Sequence, residues 1–301
     1  MQIETKKKLV AGLSITSNIT LTVLKVVIGV LSGSLSILSE AIHSMSDFLA
    51  SVLTFFSVVK SSQPADSEYP FGHGKYEEMA GFIEGLLIIL ASLLIVNESA
   101  KNIINGVHAQ LDDYSGIFVM SLAVIMNIIV SSLLFKVAKE SCSISLYADG
   151  EHLRTDIYSS LGVLAGLILI KITGYNAIDS IVAIIVAIVI FKAGFNIIKE
   201  SGSNLLDHSL PQDQIDSIKR IVNLRKNTIT LKEGSLKARQ VGPTKDIVMT
   251  LQFSGTTSIC ECHKICDELE QQLMTLYPNS SITIHSEPLC YHDNCKNSCA
   301  L

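Results

Sequence analysis

The sequence predicts two domains: an α-helical membrane domain of six transmembrane helices, and a small α/β domain. Three observations carry this. Mean hydropathy is +0.43 across the 301 residues, with no Trp and only 17 % charged side chains, a composition typical of membrane proteins. The apolar residues gather, up to about residue 200, into blocks long enough to span a bilayer. Beyond that point the chain turns charged and mixed, with short alternating elements.

The blocks place six spans at residues 9–31, 36–59, 79–99, 115–138, 152–172 and 178–198. The second and fifth are the least apolar at their starts, as expected of helices lining a polar cavity. The N-terminal Lys6, Lys7 and Lys8 before an apolar run resemble a signal peptide, but no cleavage site follows and another span comes at once, so the segment reads as a retained first helix. Basic residues set the orientation. Lys6–8, Lys60, Lys75, Lys136, Lys139 and Arg154 fall on one side, against short or acidic loops containing Asp112 and Asp113, with Lys101 and Lys171 as exceptions. Both termini are therefore expected in the cytoplasm. A net charge of −5 and the absence of a basic stripe leave no footprint for nucleic acid.

Residues 1–208 make the expected membrane domain and residues 209–301 the cytoplasmic one. In the latter, Ile215, Ile218 and Val222 sit at helical spacing after Pro211. Residues 235–241 and 246–253 read as strands about the Gly242-Pro243-Thr244 turn, with Ile247, Met249, Leu251 and Phe253 alternating inward. An amphipathic helix over 257–276 and a strand over 281–285 complete an αββαβ order, a ferredoxin-like or metallochaperone-like sandwich. Its core is small enough that dimerisation would help it. Six of the seven cysteines follow residue 259. In a cytoplasmic tail they are expected reduced and suited to thiol or metal chemistry.

One polar signature occurs twice within apolar helical sequence. Glu40-x-x-His43-x-x-x-Asp47-x-x-x-Ser51 recurs 109 residues on as Asp149-x-x-His152-x-x-x-Asp156-x-x-x-Ser160. Residues four apart share a helix face. Two such helices side by side offer two imidazoles and two carboxylates, the donor set of a tetrahedral divalent-metal site. The bland alternative, interhelical polar contact, must explain four ionisable groups placed at membrane depth, where they are costly and mark function by default. Glu40 and Asp149 lie one turn before their histidines. Either acid can orient its imidazole, and Asp149 can equally cap span five. Neither is counted as a direct ligand.

With these spans, the doubled motif and the α/β tail, the chain resembles the cation diffusion facilitator family of metal exporters, essentially end to end. Further matching stretches are Gln63-Pro-Ala-Asp66, Phe71-Gly-His73-Gly-Lys75, Leu206-Asp207, Ser209-Leu-Pro211 and Ile284-His285-Ser-Glu287-Pro288. The resemblance implies a transport site at His43, Asp47, His152 and Asp156, of the zinc-preferring two-His, two-Asp kind. A second site would fall on Asp66 and His73, where Tyr69 replaces a residue that is usually polar and liganding; its alternative is a hydrogen-bonded loop histidine. A tail site would use His263, His285 and Glu287. Gly234 and Thr250 stand where histidines are usual, while Cys260, Cys262, Cys266, Cys290, His292, Cys295 and Cys299 crowd the region. Thiolates there favour softer ions. Lys75 and Asp207 match a pair tying the membrane domain to the tail near the dimer junction; read alone, they are two interfacial charges meeting headgroups.

The resemblance further implies a homodimer with no bound cofactor, for which Zn²⁺ is both substrate and regulatory ligand and protons are the counter-ion. Neutral imidazole alone can ligate a metal, so metal and proton compete for the same nitrogens. Other divalent ions (Fe²⁺, Co²⁺, Ni²⁺, Cd²⁺) are the competing substrates. An intramembrane zinc hydrolase is disfavoured, because His-Glu-x-x-His is absent and four protein ligands leave no place for water. A metal-sensing scaffold with an idle membrane part would not need the four costly groups. No Gly-rich phosphate loop points to ATP. A retained first helix without a targeting segment suits a bacterial inner membrane. Gly81-x-x-x-Gly85 and Gly162-x-x-x-Gly166 permit close helix approach. Asn18, Glu84, Asn97 and Asn127 are expected to make polar contacts between helices, and His108 and His208 to lie on the surface.

Overall fold

The computed structural model describes residues 2–32, 35–105, 114–173, 177–225, 228–278 and 280–289, with the side chains of some helical residues, including 31–43 and 162–173, left outside the description. The chain divides into two compact units, Met1–Leu205 and Leu206–Leu301.

The first unit consists of six long helices: α1 (Gln2–Ser32), α2 (Leu35–Ser61), α3 (Lys75–Asn105), α4 (Tyr114–Ser141), α5 (Ile144–Thr173) and α6 (Ala177–Leu205). Each sequence span corresponds to one of them. Ile3–Ile28, Lys75–Lys101 and Ser121–Ser141 are, among the described residues, long and apolar enough to cross a membrane. Helix α1 packs along α2 and α4, α3 along α6, and α5 touches α2, α3, α4 and α6. The unit is therefore a bundle with α5 at its centre.

Helices α4 and α5 are joined by Cys142 and Ser143 alone, with Cys142 at a left-handed φ of 53°. This connection starts α5 eight residues before the expected span. Asp149 consequently lies inside the helix and does not cap it, and the capping alternative fails. The apolar clusters of the bundle are modest. Val10, Val58, Val130, Leu134, Leu146 and Leu153 form the larger one, and Ile88, Ala148, Ile190 and Ile197 another. Gly85 and Gly194 let α3 and α6 meet almost backbone to backbone: a Cβ at Gly194 would stand 3.0 Å from the Gly85 carbonyl oxygen. Gly81 faces α6 as well, toward Ser201. The side chains about Gly162 and Gly166 lie outside the described residues.

The second unit adds α7 (Gln212–Asn223), β1 (Ile229–Leu231), β2 (Lys237–Val241), β3 (Thr244–Ser254), α8 (Ile259–Leu276) and β4 (Ser281–Leu289). Strand β3 is central. It pairs antiparallel with β1 through Leu251–Phe253 and with β2 through Thr244–Val248, while β4 runs parallel along its other edge. The order is thus αβββαβ. The extra strand is the three-residue β1, too short to show an alternation of its own. The inward residues of β3, Ile247, Met249, Leu251 and Phe253, are all buried against Ile215, Ile218 and Val222 of α7 and Cys266, Leu269 and Leu273 of α8. Helix α8 starts in a capping box. Ser258 Oγ accepts from the Glu261 amide, and the Glu261 carboxylate accepts from the Ser258 amide, an arrangement that stabilises a helix start by about 1 kcal/mol.

Candidate metal centre

Helix α2 carries Asp47, and α5 carries His152 and Asp156. One ligand atom from each of the three lies within 4.8 Å of the others, and this is the one such trio of His, Cys, Asp or Glu among the described residues. Asp47 and His152 are buried and Asp156 is partly so. Nε2 of His152 stands 3.1 Å from Oδ1 of Asp47. Three donors converging across two helices match what a single divalent cation requires. Residue 43 lies on α2 one turn before Asp47, but the side chain of His43 is outside the described residues.

The centre is held in place by α1. Ser14, Asn18, Thr22 and Lys25, all buried, lie at intervals of three or four and share one face. Asn18 Nδ2 donates to Ser51 Oγ (2.7 Å) and to the Asp47 carbonyl oxygen (3.3 Å). Ser14 and Ser51 hydroxyls are 3.0 Å apart. Thr22 Oγ1 donates to the Ser44 carbonyl (3.1 Å), and Lys25 Nζ to Ser44 Oγ (2.6 Å). In an apolar medium such contacts average about 0.6 kcal/mol each. Together they fix the rotation of α2 that turns Asp47 toward α5. Ser51 Oγ donates in turn to Asp149 Oδ1 (3.1 Å), and Thr54 donates to Glu84. Asn18 and Glu84 thus make the interhelical contacts expected of them. Asp149 is fully buried one turn before His152, on the same face, the place of a group that orients its surroundings.

At the end of the bundle bearing the N-terminal lysines, Lys7 and Glu77 form a wholly buried ion pair at 2.5 Å. Glu77 also accepts from Ser61 (2.6 Å) and Ser143. Sequence reasoning missed this network. Its one signal was a charged residue at each start of two apolar helices, and 70 positions separate them.

In the loop after α2, Asp66 Oδ2 lies 3.4 Å from His73 Nε2, a separation of ion-pair range without hydrogen-bond geometry. The structure thus brings the two predicted residues together. The amides of Tyr69 and Glu68 donate to Asp66 Oδ1 at 2.8 and 2.9 Å and hold its carboxyl below the usual range. The His73 ring is buried and lies beside Tyr69 and Tyr76, and among the described residues neither of its nitrogens makes a hydrogen bond.

In the second unit a cleft of about 520 Å³ gathers Cys262, His263, Cys266 and Glu287 on its walls. Their donor atoms do not converge as those of the first unit do. His263 pairs with Asp267 (3.5 Å), Glu287 with Lys232 (2.9 Å), and Cys266 Sγ lies 3.6 Å from Ser286 Oγ. His285 is exposed, 3.8 Å from Glu287. Cys290 and Cys295, with His292 and Cys299, lie outside the described residues. Within its own unit, Lys75 Nζ donates to the Leu205 carbonyl (3.4 Å), and Asp207 pairs with Arg239 (2.7 Å). His208 is on the surface, as expected.

Comparison with known proteins agrees with this architecture. The cation efflux transmembrane domain matches residues 12–206, and the cytoplasmic domain of cation efflux proteins matches residues 210–289. The transporter sll1263 of Synechocystis is 30 % identical over 93 % of this chain and 89 % of its own length. The cation-efflux pump FieF of Yersinia enterocolitica is 29 % identical over 85 % of this chain and 84 % of its own. A solved structure of CzrB covers 27 % of this chain at 31 % identity, with a TM-score of 0.26. With a membrane unit and a cytoplasmic unit both matched in chain order, this chain is a member of the cation efflux family of membrane transporters.

Proposed function

We propose that the chain is a secondary transporter that exports Zn²⁺ from the cytoplasm in exchange for protons. The observation that carries this reading is the convergence of Asp47, His152 and Asp156 within 4.8 Å between α2 and α5. His43 is the fourth ligand, one turn before Asp47. Two imidazoles and two carboxylates suit tetrahedral Zn²⁺ better than ions preferring six oxygens. The two carboxylates neutralise the ion in a setting that disfavours uncompensated charge.

Coupling to protons follows from the same atoms. In the proton-loaded state His152 is an imidazolium whose Nε2 proton lies in the 3.1 Å contact with Asp47. A cation that takes Nε2 and Oδ1 as ligands displaces that proton and leaves neutral imidazole with its remaining proton on Nδ1. Metal and proton therefore exclude one another, which is the requirement for exchange. The protein works as a homodimer in the inner membrane of a bacterium, both termini in the cytoplasm. The Cys262, His263, Cys266 and Glu287 cleft is the candidate place for a regulatory metal, with Cys290 and Cys295 close in sequence. Asp66 and His73 are a second candidate in the loop.

The test is metal uptake into proteoliposomes with an imposed pH gradient, comparing the unaltered chain with Asp47→Ala and His152→Ala. Zn²⁺ flux that moves protons in step and collapses in both variants supports the reading. Flux of Fe²⁺, Co²⁺, Ni²⁺ or Cd²⁺ without Zn²⁺ keeps the site and replaces the substrate. No flux of any ion from folded protein puts a metal-sensing scaffold in its place.

A further inference from the structure

One carboxylate bridges the seam between α2 and α5, the two helices that hold the metal centre. Oε1 of Glu77, on α3, accepts from Ser61 Oγ of α2 at 2.6 Å. Its other oxygen, Oε2, accepts from the Ser143 hydroxyl just before α5 and from Ser145 Oγ of α5 at 3.5 Å. Lys7 of α1 reaches Oε1 as well, at 2.5 Å. Lys7, Glu77 and Ser145 are 0 % exposed and Ser143 is 2 % exposed. Water is thus excluded from the cluster, and α1, α2, α3 and α5 are tied at one side chain. Cys142 and Ser143 alone join α4 to α5, so Ser143 cannot leave Glu77 without shifting the end of one of those helices.

The cluster closes the seam at the end of the bundle that bears the N-terminal lysines. Ser61 lies 14 residues from Asp47 on α2, about 21 Å at 1.5 Å per residue, and Ser145 lies seven from His152 on α5, about 10 Å. Within these stretches Val58 of α2 and Leu146 of α5 are 0 % exposed and belong to one apolar cluster with Val10 and Ala11 of α1. A divalent cation would lose its hydration in such a layer and gain no ligand from it. The metal centre is therefore shut off from this end. A permanent staple would need no charges, because drying an ammonium and a carboxylate costs about what their attraction returns. That near-balance suits a closure that has to open. When Lys7 and Glu77 part into water, both recover their hydration, so the shut and parted arrangements stay close in free energy.

We propose that Glu77 and Lys7 form a latch across the α2–α5 seam, and that it parts whenever a metal ion passes between the cytoplasm and the centre. The proposal rests on the export reading and the orientation given above. Glu77 makes the contacts across the seam, and Lys7 neutralises it while the end is dry. Opening separates α2 from α5 here, drawing Ser61 and Ser143 off opposite oxygens of the same carboxylate. Water then enters the Val58 and Leu146 layer and hydrates the ammonium and the carboxylate. The latch governs access and leaves the affinity for metal to the centre.

The experiment places a reporter thiol in the dry layer by Val58→Cys, in the full-length protein reconstituted into liposomes. A charged, membrane-impermeant maleimide is added outside, and mass spectrometry reads labelling at position 58 against exposed Cys260. In metal-free protein, position 58 is expected to label on the order of 100-fold more slowly than Cys260, since it reacts through local opening alone. Zn²⁺ with an imposed pH gradient, which sets the transporter cycling, should raise that rate about tenfold as the minor open state becomes populated. Glu77→Gln should raise the metal-free rate about tenfold, the difference between a charged and a neutral acceptor. Ser61→Ala should raise it less, and it serves if Glu77→Gln fails to fold. Ser132→Ala, whose hydroxyl bonds within α4 to the Ile128 carbonyl, is the control and should leave the rate unchanged. Unchanged labelling in Glu77→Gln and Ser61→Ala overturns the latch and leaves the export reading standing. Labelling of position 58 as fast as Cys260 in metal-free protein shows this end to be open and also overturns it. Zn²⁺ flux in the reporter chain with no rise in labelling makes the pair a staple and overturns its gating role. If the unaltered chain carries no Zn²⁺ while the variants still label faster, the export reading is overturned and the gating role falls with it.

Discussion

His152 on α5 and Asp47 on α2 meet through Nε2 and Oδ1 at 3.1 Å, a contact between residues 105 positions apart in the chain. Both are buried, and both belong to the repeated His-x-x-x-Asp signature. Replacing His152 by Gln keeps a hydrogen-bonding side chain and removes the imidazole. Zn²⁺ affinity, measured by calorimetry, is expected to fall about 100-fold or more if His152 is one of the ligands proposed above. Unchanged affinity would remove His152 from the ligand set.

The close approach of α3 and α6 supplies a packing prediction. A Cβ at Gly194 would stand 3.0 Å from the Gly85 carbonyl oxygen and 3.0 Å from Ile88 Cγ2. Backbone cannot yield as a flexible side chain does. Gly194→Ala should push the helices apart and destabilise the membrane unit by about 1–3 kcal/mol, as overpacking generally does. Gly202→Ala, whose Cβ would meet only the Phe82 ring at 3.5 Å, is the control and should be near neutral. Thermal unfolding in detergent compares the two.

What the sequence disclosed, and what it did not, divides along physical lines. The doubled motif was legible because a four-residue step needs only that the segment be helical. The Gly81-x-x-x-Gly85 pattern was legible for the same reason, although its partner Gly194 was not, since nothing in one helix names its neighbour. Asp149 was ambiguous because the segment before it, Ile144-Ser-Leu-Tyr-Ala, is less apolar than a span. Its place was settled by the abrupt turn at Cys142 and Ser143. In the second unit the alternation of β3 gave the core directly, whereas β1 has three residues and no period to read. The Lys7 and Glu77 pair is a property of helix packing, invisible to any local pattern.

The Glu287 carboxyl gives a pH prediction. The hydrogen bond from Lys232 Nζ, 2.9 Å from each carboxylate oxygen, holds it below the ordinary glutamate range, with the nearby Lys232 and His285 charges adding to the effect. A depressed folded-state pKa contributes stability that is present above the unfolded-state value and is lost as the pH falls through the folded one. In Lys232→Met the Glu287 carboxyl should return upward toward its ordinary value, seen as a shifted titration of its carbon resonance by NMR. An unmoved titration would mean that Lys232 does not set it.

The cysteines of α8 should differ in reactivity. Cys260 is exposed and Cys266 is buried, with burial pushing the Cys266 thiol up despite the Ser286 hydroxyl beside it. Thiolate is the reacting form, so alkylation should reach Cys260 well before Cys266. Zn²⁺ added beforehand is expected to slow the labelling of Cys262 and Cys266, which line the cleft, and to leave Cys260 unaffected. Mass spectrometry of digested protein reads each site. Equal labelling of Cys262 with and without Zn²⁺ would exclude that residue as a ligand.

The Lys7 and Glu77 pair joins the start of α1 to the start of α3, and Ser61 and Ser143 bring α2 and the turn before α5 to the same carboxylate. Both charged side chains are wholly buried, so neither can turn to water when its partner is removed. Losing Lys7 leaves Glu77 an uncompensated buried charge, which costs about 3–5 kcal/mol, and losing Glu77 leaves Lys7 only the looser contact with Glu4 at 3.6 Å. Replacing both with apolar groups of similar volume is often neutral, because the desolvation of two charges disappears with their attraction. Lys7→Met and Glu77→Leu should therefore each lower the unfolding midpoint strongly. The double variant should lie nearer the unaltered chain than either single one, provided Ser61 and Ser143 find other acceptors. Additive losses in the thermal midpoints would show the two residues to be uncoupled, and the four-helix junction would then owe its stability to the apolar contacts of Val10, Val58 and Leu146.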